Sequence, residues 1–494
     1  MDTPPPPPPT DLPNRKAARA TVFARQVQVL GYSWNGLSPG DAHRILTRLE
    51  QIAAGVPSLA DLPRIEAALG IASSFFTGRN LVDLAPMQWT SVERWGIENV
   101  PFGLVRCAES WGWYIPSGQA GRPKPELAEK TLPLWLPAPK LVSDLAELGL
   151  KSRKKLRERE APLFETDPHE LVAAAKEMLR EDPALVRRAG TTLEAVQRWF
   201  FDAIRRMSGG DAALAQLITA RAEITSKSTS FYTSCTQEQV EDAWWEVFGS
   251  FTGERLRRAP ESSLRQQRYG SAYVPSDQLM QALAANLRAA ILAAPTIEER
   301  HNAMTLYSLT LCSVGLALRP ANRPVLRING IDQDTGFLAI EDDRRRDPFM
   351  VRLSWAPPVV RLQVQHYRDH LDAMESSCPQ AAALLHESSP EYLPIFLYEK
   401  GRARPKVLFE VMKRVCYSTE GLEKENFARH YVRTHLLGRC SSETLQAFLG
   451  HWNSGSEPFG IGSGFDPLLY RADLERSLPP LLDQAGWVTQ ASDQ

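Results

Sequence analysis

"ARHYVRTHLLGRCSSETLQAFLGH", residues 428–451, sets an Arg-His pair near its start and Leu-Gly-His at its end. Apolar residues recur between them at helical spacing, with Leu445, Phe448 and Leu449 forming one stripe, so two short helices are expected. Gly450 lets the backbone turn after the second helix, so that the ring of His451 projects from the end of it. An arginine at 429 and a histidine at 451 suit a bound phosphate, because a guanidinium stays protonated and its forked donors match phosphate oxygens.

Outward from this stretch the chain alternates helix, strand and helix. "VPSDQLMQALAANLRAAILAA" (274–294) begins a helical unit, with Ser276 as its cap. "TLYSLTLCSVGLALRP" (305–320) reads as a buried helix running into a turn at Arg319-Pro320. Three β-rich pieces follow at 325–331, 336–341 and 348–355, joined by turn residues. "APPVVRLQVQHYRDHLDAM" (356–374) is a helix with Val360, Leu362, Val364 and Tyr367 among its apolar positions. Downstream, "FDPLLYRADL" (465–474) carries Tyr470, and the apolar tail 474–487 can dock on a neighbouring subunit or pack on its own domain.

The amino-terminal half has a different texture. The proline-rich start, residues 1–20, reads as a flexible or polyproline-II tail with no apolar core of a secretory signal. Residues 21–140 are expected to form helices and then short strands rich in Trp and Val, with the tryptophans in the core in preference to stacking on bases. "DAHRILTRLEQIAAG" (41–55) places Ile45, Leu46, Leu49, Ile52 and Ala53 on one helical face. Residues 141–270 return to helices, with Asp167-Pro168 a cap and first turn, and Thr236 with Gln239 a capping box. The basic segment 253–270 reads as a linker to a last domain at 271–494.

Bulk properties bound the function. At 494 residues several domains are expected, and the 43% hydrophobic and 23% charged fractions are those of a globular protein. No apolar run is long enough for a membrane span. The scattered cysteines form no CxxC pair, which argues against a zinc site or disulfide framework and for a reduced, cytoplasmic compartment. A net charge of −1 gives no global sign of nucleic acid. Local basic clusters do better: Lys154 and Lys155 in one, and Arg255, Arg257, Arg258, Arg265 and Arg268 in the other, are the candidate DNA contacts.

Taken in order, these motifs resemble the catalytic domain of the tyrosine recombinases, the phage-integrase family. "GLALRPANRP" (315–324) is similar to the first arginine box, with Arg319 in the catalytic place. "NFARHYVRTHLL" (426–437) is similar to the second, with Arg429, and "LQAFLGHW" (445–452) to the third, with His451. Tyr470 stands where the family has its nucleophile. The resemblance covers residues 271 to 474. It implies a mainly α, multidomain protein whose carboxy-terminal α+β domain sets helices around a small antiparallel sheet, preceded by a helical domain that clamps duplex DNA. It further implies cutting and rejoining of DNA through a 3′-phosphotyrosyl link, no metal or other cofactor, and a homotetramer on two synapsed sites with accessory proteins. Taken singly, each residue has a structural reading as well: Arg319 as a cation on helix carbonyls, Arg429 as a paired surface charge, His451 as a cap and Tyr470 as core.

Four positions depart from the family pattern. The histidine of its His-x-x-Arg box is Asn426, which can hydrogen-bond phosphate but cannot shuttle a proton. The acidic brace after the first arginine is Asn322. The hairpin lysine is absent, Arg344 is nearest to its place, and an arginine is a poor general acid. The segment between His451 and Tyr470 is longer than usual and rich in Gly and Ser. Asn426, Asn322 and the missing lysine favour a second expectation, a non-catalytic DNA-binding or assembly subunit that kept the fold, whereas the intact Arg319, Arg429, His451 and Tyr470 favour the enzyme. A relaxing topoisomerase is a third.

Overall fold

The computed structural model describes residues 36–56, 58–92, 102–107, 110–116, 133–153, 160–181, 191–221, 227–252, 268–324, 326–327, 330–341, 351–389, 391–452, 458–459 and 463–492. It is mainly helical with small sheets. The chain divides into two compact units at Gly270/Ser271. Among the described residues no helix is long and apolar enough to cross a membrane.

The amino-terminal unit contains α1 (Pro39–Ala53), α2 (Leu62–Thr77), α3 (Leu81–Leu84), β1 (Gln88–Val92), β2 (Gly103–Cys107), β3 (Ser110–Pro116) and β4 (Pro133–Pro137). It continues with α4 (Lys140–Ser152), β5 (Glu160–Pro162), α5 (Pro168–Arg180), α6 (Leu193–Met207), α7 (Ala213–Thr219), α8 (Lys227–Tyr232), β6 (Ser234–Thr236), α9 (Gln237–Thr252) and β7 (Arg268–Gly270). The caps read from the sequence form: Asp167 accepts from the amides of His169 and Glu170, and Thr236 and Gln239 bond each other's backbone amides. Ile45, Leu46 and Leu49 are buried along α1.

Strands β1 to β5 form one sheet in the order β4-β3-β2-β1-β5, in which β1 and β2 run parallel and the other neighbours antiparallel. The side chain of Gln237 pairs with both the amide and the carbonyl of Trp135, mimicking a further strand on the β4 edge. Trp89, Trp111, Trp113 and Trp135 are buried. Helices on both sides of residue 141 share one core, in which Phe75 stacks on Trp199 and Phe200 packs on Phe248, so the expected boundary at 141 runs through a common interior. Nor is 268–270 linker, since β7 pairs with β6. Arg268 is exposed there, with its Nε on Ser234 Oγ at 3.3 Å. Lys154, Lys155, Arg255, Arg257, Arg258 and Arg265 lie outside the described residues.

The carboxy-terminal unit runs α10 (Asp277–Ala293), α11 (Ile297–Gly315), β8 (Phe337–Ile340), β9 (Arg352–Trp355), α12 (Pro358–Ser377), α13 (Pro379–Glu387), β10 (Phe396–Glu399) and β11 (Arg402–Pro405). It ends with α14 (Leu408–Ser418), α15 (Phe427–Leu436), α16 (Ser442–Leu449) and α17 (Pro467–Gln484). Helix α11 is buried along most of its length and packs against α10, α12, α14, α15 and α17, so it is the axis of this core. Gly315 is what lets α12 come close, because a Cβ there would stand 2.3 Å from Val360 Cγ2. In α12, Val360 and Tyr367 are fully buried, whereas Leu362 is half exposed.

Strands β8 and β9 pair antiparallel with Phe337 opposite Trp355 and Ile340 opposite Arg352, and Ile331 bridges to Leu338. Residues 342–350 between β8 and β9, Arg344 among them, lie outside the described residues. The apolar tail packs on its own unit: Leu474, Leu478, Leu481, Leu482 and Trp487 are all buried in its core.

Candidate active site

Three chain segments that are distant in sequence deliver Arg319, Arg429 and His451 to one pocket. Helix α11 ends in a left-handed residue, Ala317 at φ +47°, and the amide of Leu318 closes back on the carbonyl of Ser313. Alanine in that conformation costs about 1–2 kcal/mol relative to a right-handed turn. The turn aims the carbonyl of Ala317 at the pocket and sends Arg319 out beyond it. Helix α16 ends similarly, with Gly450 at φ +66° and the amide of His451 bonded to Gln446 O at 2.8 Å. Here the positive φ is what favours glycine, and a Cβ would in addition lie tightly, 3.2 Å, from Arg352 Cδ.

The contacts are direct. Arg319 Nη2 donates to Gly450 O at 3.0 Å. Arg429, on α15, donates through Nη1 to Ala317 O at 2.7 Å and through Nη2 to Leu449 O at 2.6 Å. The same Nη2 stands 2.9 Å from His451 Nε2. A guanidinium only donates, so Nε2 is the acceptor and the neutral imidazole carries its proton on Nδ1. Burial, and then the charges of Arg429, Arg319, Arg433 and Arg352, hold the His451 imidazolium well below the ordinary histidine range. At neutral pH the ring is therefore unprotonated until an anion offsets those charges.

Two of these cations escaped sequence reasoning. Arg433 follows Arg429 by one helical turn on α15 and is buried. Arg352 is fully enclosed at the start of β9 and donates to Leu316 O, Phe448 O and Ala317 O at 3.0, 2.6 and 3.2 Å. Alternation in "MVRLSW" sets Arg352 opposite the Val351, Leu353 and Trp355 face, so the sequence carried no local signal for its burial.

The remaining expected residues are placed differently. Tyr470 is buried on α17, with its hydroxyl donating to Leu353 O at 2.9 Å and its ring against Phe337, Phe459 and Phe465. Burial raises the phenol above its ordinary range, and the charge of Arg352 opposes this. The phenol thus adjoins the Arg352 side of the cluster, and its hydrogen bond goes to a carbonyl and not to Arg319 or Arg429. Asn426 is half-buried at the N-cap of α15, one turn before Arg429, and its side chain makes no cap bond. Asn322 is exposed. His430 turns from the pocket to Ser271 Oγ at 2.8 Å and the edge of Tyr273, and His435 reaches Asp277 at 3.4 Å.

Helix α17 is tied to α16 within the same unit. Asp473 accepts from the amide of Ser441 at 3.0 Å and from Thr444 Oγ1 at 2.9 Å. The tyrosine-bearing helix therefore clamps one end of α16 while His451 leaves the other. Chemically, the cluster sets forked donors around a neutral imidazole with the phenol beside its Arg352 end, an arrangement whose charge and donor geometry suit a compact anion. Neither the family models nor the curated proteins compared with this chain gave a match.

Proposed function

We propose that the protein is a DNA strand-cutting and rejoining enzyme of tyrosine-recombinase type, acting as an integrase of a mobile genetic element. The observation that carries the reading is the convergence of Arg319, Arg429 and His451 from three separate segments on one buried, cationic pocket. In this reading the forked guanidiniums take the non-bridging oxygens of one scissile phosphate and offset charge that builds in the transition state. Tyr470 Oη attacks phosphorus and gives up its proton; the P–O5′ bond breaks as the tyrosyl–phosphate bond forms, and the 5′ oxygen leaves as a hydroxyl after gaining one proton, so none is consumed overall. The bound phosphate raises the proton affinity of His451, which makes the imidazole a donor to that phosphate. A 5′ hydroxyl of a partner duplex then attacks the phosphotyrosyl link and restores both the phenol and the phosphodiester. Within the same proposal the substrate is double-stranded DNA in the cytoplasm and the working form is a tetramer on paired sites.

Attack requires the Tyr470 hydroxyl to leave Leu353 O, so the free protein is at rest. That bond, with Asn426 in the histidine position, also favours a second reading, a non-catalytic DNA-binding subunit that keeps the pocket for a structural phosphate. Incubation with a random-sequence pool of nicked suicide duplexes separates the two. A covalent protein–DNA adduct that is absent in Tyr470→Phe supports the enzyme, while retention of duplexes without adduct supports the binding subunit.

A further inference from the structure

We propose that Arg352 is a positioning residue of this pocket, one that fixes Arg319, His451 and Tyr470 against one another without touching DNA; the inference rests on the enzymatic reading above. Its guanidinium joins two helix ends. Nη1 donates to Leu316 O and Phe448 O, and Nη2 donates to Ala317 O. Leu316 and Ala317 begin the turn that carries Arg319, and Phe448 lies in the last turn of α16, just before Gly450 and His451. The main chain of the next residue takes the nucleophile, since Leu353 O accepts the Tyr470 hydroxyl. Arg352 and Leu353 are themselves held by pairing with Ile340 and Ala339 of β8. Two consecutive residues of one strand thus set the spacing between the anion site and the phenol.

Only an arginine suits the place. Several donors in a fixed plane can span two helix ends, whereas an ammonium is a single point on a flexible stem. The hydrogen bonds described for its guanidinium run to helix-end carbonyls, whereas Arg429 also reaches the His451 ring, and this is what separates the two roles. Its loss is therefore expected in the rate of the chemical step and not in DNA affinity, because displacing reacting groups by an ångström costs on the order of 100-fold.

The experiment compares wild type, R352K and R352Q on the duplex selected from the nicked pool, measuring affinity and the single-turnover rate of adduct formation across pH. R352K is expected to bind DNA as wild type does and to form adduct on the order of 100-fold more slowly. R352Q removes one of four cations facing His451, the others being Arg429 and Arg433 from α15 and Arg319 from the turn after α11. With the protonated ring as the donor, activity is lost as pH rises through its titration; that alkaline limb is expected at higher pH in R352Q, and R352K is expected to return it to the wild-type position. A purely structural role lowers the folded fraction and leaves the limb where it was. Adduct formation by R352K at the wild-type rate overturns the proposal, as does an unmoved limb in R352Q. If R352Q does not fold, R352K alone decides, because it keeps both charge and stem. Failure of the enzymatic reading is seen separately, as no wild-type adduct or an adduct that survives Tyr470→Phe, and the positioning role then falls with it.

Discussion

Acid should unfold the carboxy-terminal unit well before its carboxylates titrate. His301 lies under Phe396, with Nε2 3.0 Å from the Phe396 carbonyl oxygen and Nδ1 3.1 Å from His370 Nε2, and burial lowers it to about 3. Burial, with the charge of Arg429 behind it, lowers His430 to about 3 as well. His451 is held well below the ordinary value. In the unfolded chain all three titrate near 6.5. Below that pH the unfolded state binds protons that the native state does not, so stability falls as pH falls, over the window from about 6.5 down to about 3. Between pH 7 and 5 the linkage amounts to about 2 kcal/mol for each histidine and about 6 kcal/mol together. That is comparable with the whole stability of a domain, roughly 5–15 kcal/mol. Glu399, lowered by its bond from Lys406, begins to lose its contribution as pH falls through about 4.5 and so does not enter the comparison between pH 7 and 5. Pulsed hydrogen exchange along a urea series at pH 7, 6 and 5, read on peptides from α11 and α15, measures the loss directly. His430→Asn should remove about a third of the slope. A stability that is equal at pH 7 and pH 5 would mean that the buried rings are protonated in the native state, and the account of the pocket's resting charge would be wrong.

Gly450→Ala puts a side chain on a left-handed residue and against Arg352 and Arg319; a loss of about 1–2 kcal/mol in urea unfolding is expected, and an unchanged midpoint refutes the strain argument. In the amino-terminal unit, buried Glu66 accepts from Arg153 Nη2 at 2.9 Å and from the amides of Glu165 and Thr166. Glu66→Ala leaves the Arg153 guanidinium buried without that partner and should cost about 3–5 kcal/mol, measured by hydrogen exchange of α2 and α4 peptides.

Helices were the legible part of this chain, because caps and apolar spacing are local. Asp167, Thr236 and Ser276 cap where the sequence places them. The boxes at 319, 429 and 451 were also legible, each being a short pattern fixed to a helix end. What sequence could not supply is set by contacts between distant segments. Gln237 reaches Trp135 to close a sheet edge, and the parallel pairing of β1 with β2 has no local signature. The continuity of one core across residue 141 likewise depends on α2 meeting α4, α5 and α6 together. Arg352 was missed because an arginine after a basic hairpin turn looks solvated, and its inward direction follows only from the register of β9 on β8.

The pocket poses an electrostatic problem in the free protein, since four guanidiniums act on one imidazole. Two helices answer it. The C-terminal ends of α11 and α16 meet here, and the carbonyls of Leu316, Ala317, Phe448, Leu449 and Gly450 accept from Arg319, Arg352 and Arg429. Each such end behaves as roughly half a negative charge, which stabilises cations without neutralising them. A carboxylate in the same position would cancel a guanidinium's formal charge outright, whereas a carbonyl leaves that charge in place. The structural reading of these arginines as helix caps and the chemical reading as phosphate clamps are therefore compatible. The caps hold the forks in position at rest, and the formal charge that they leave uncancelled is what the proposed function would set against a phosphodiester.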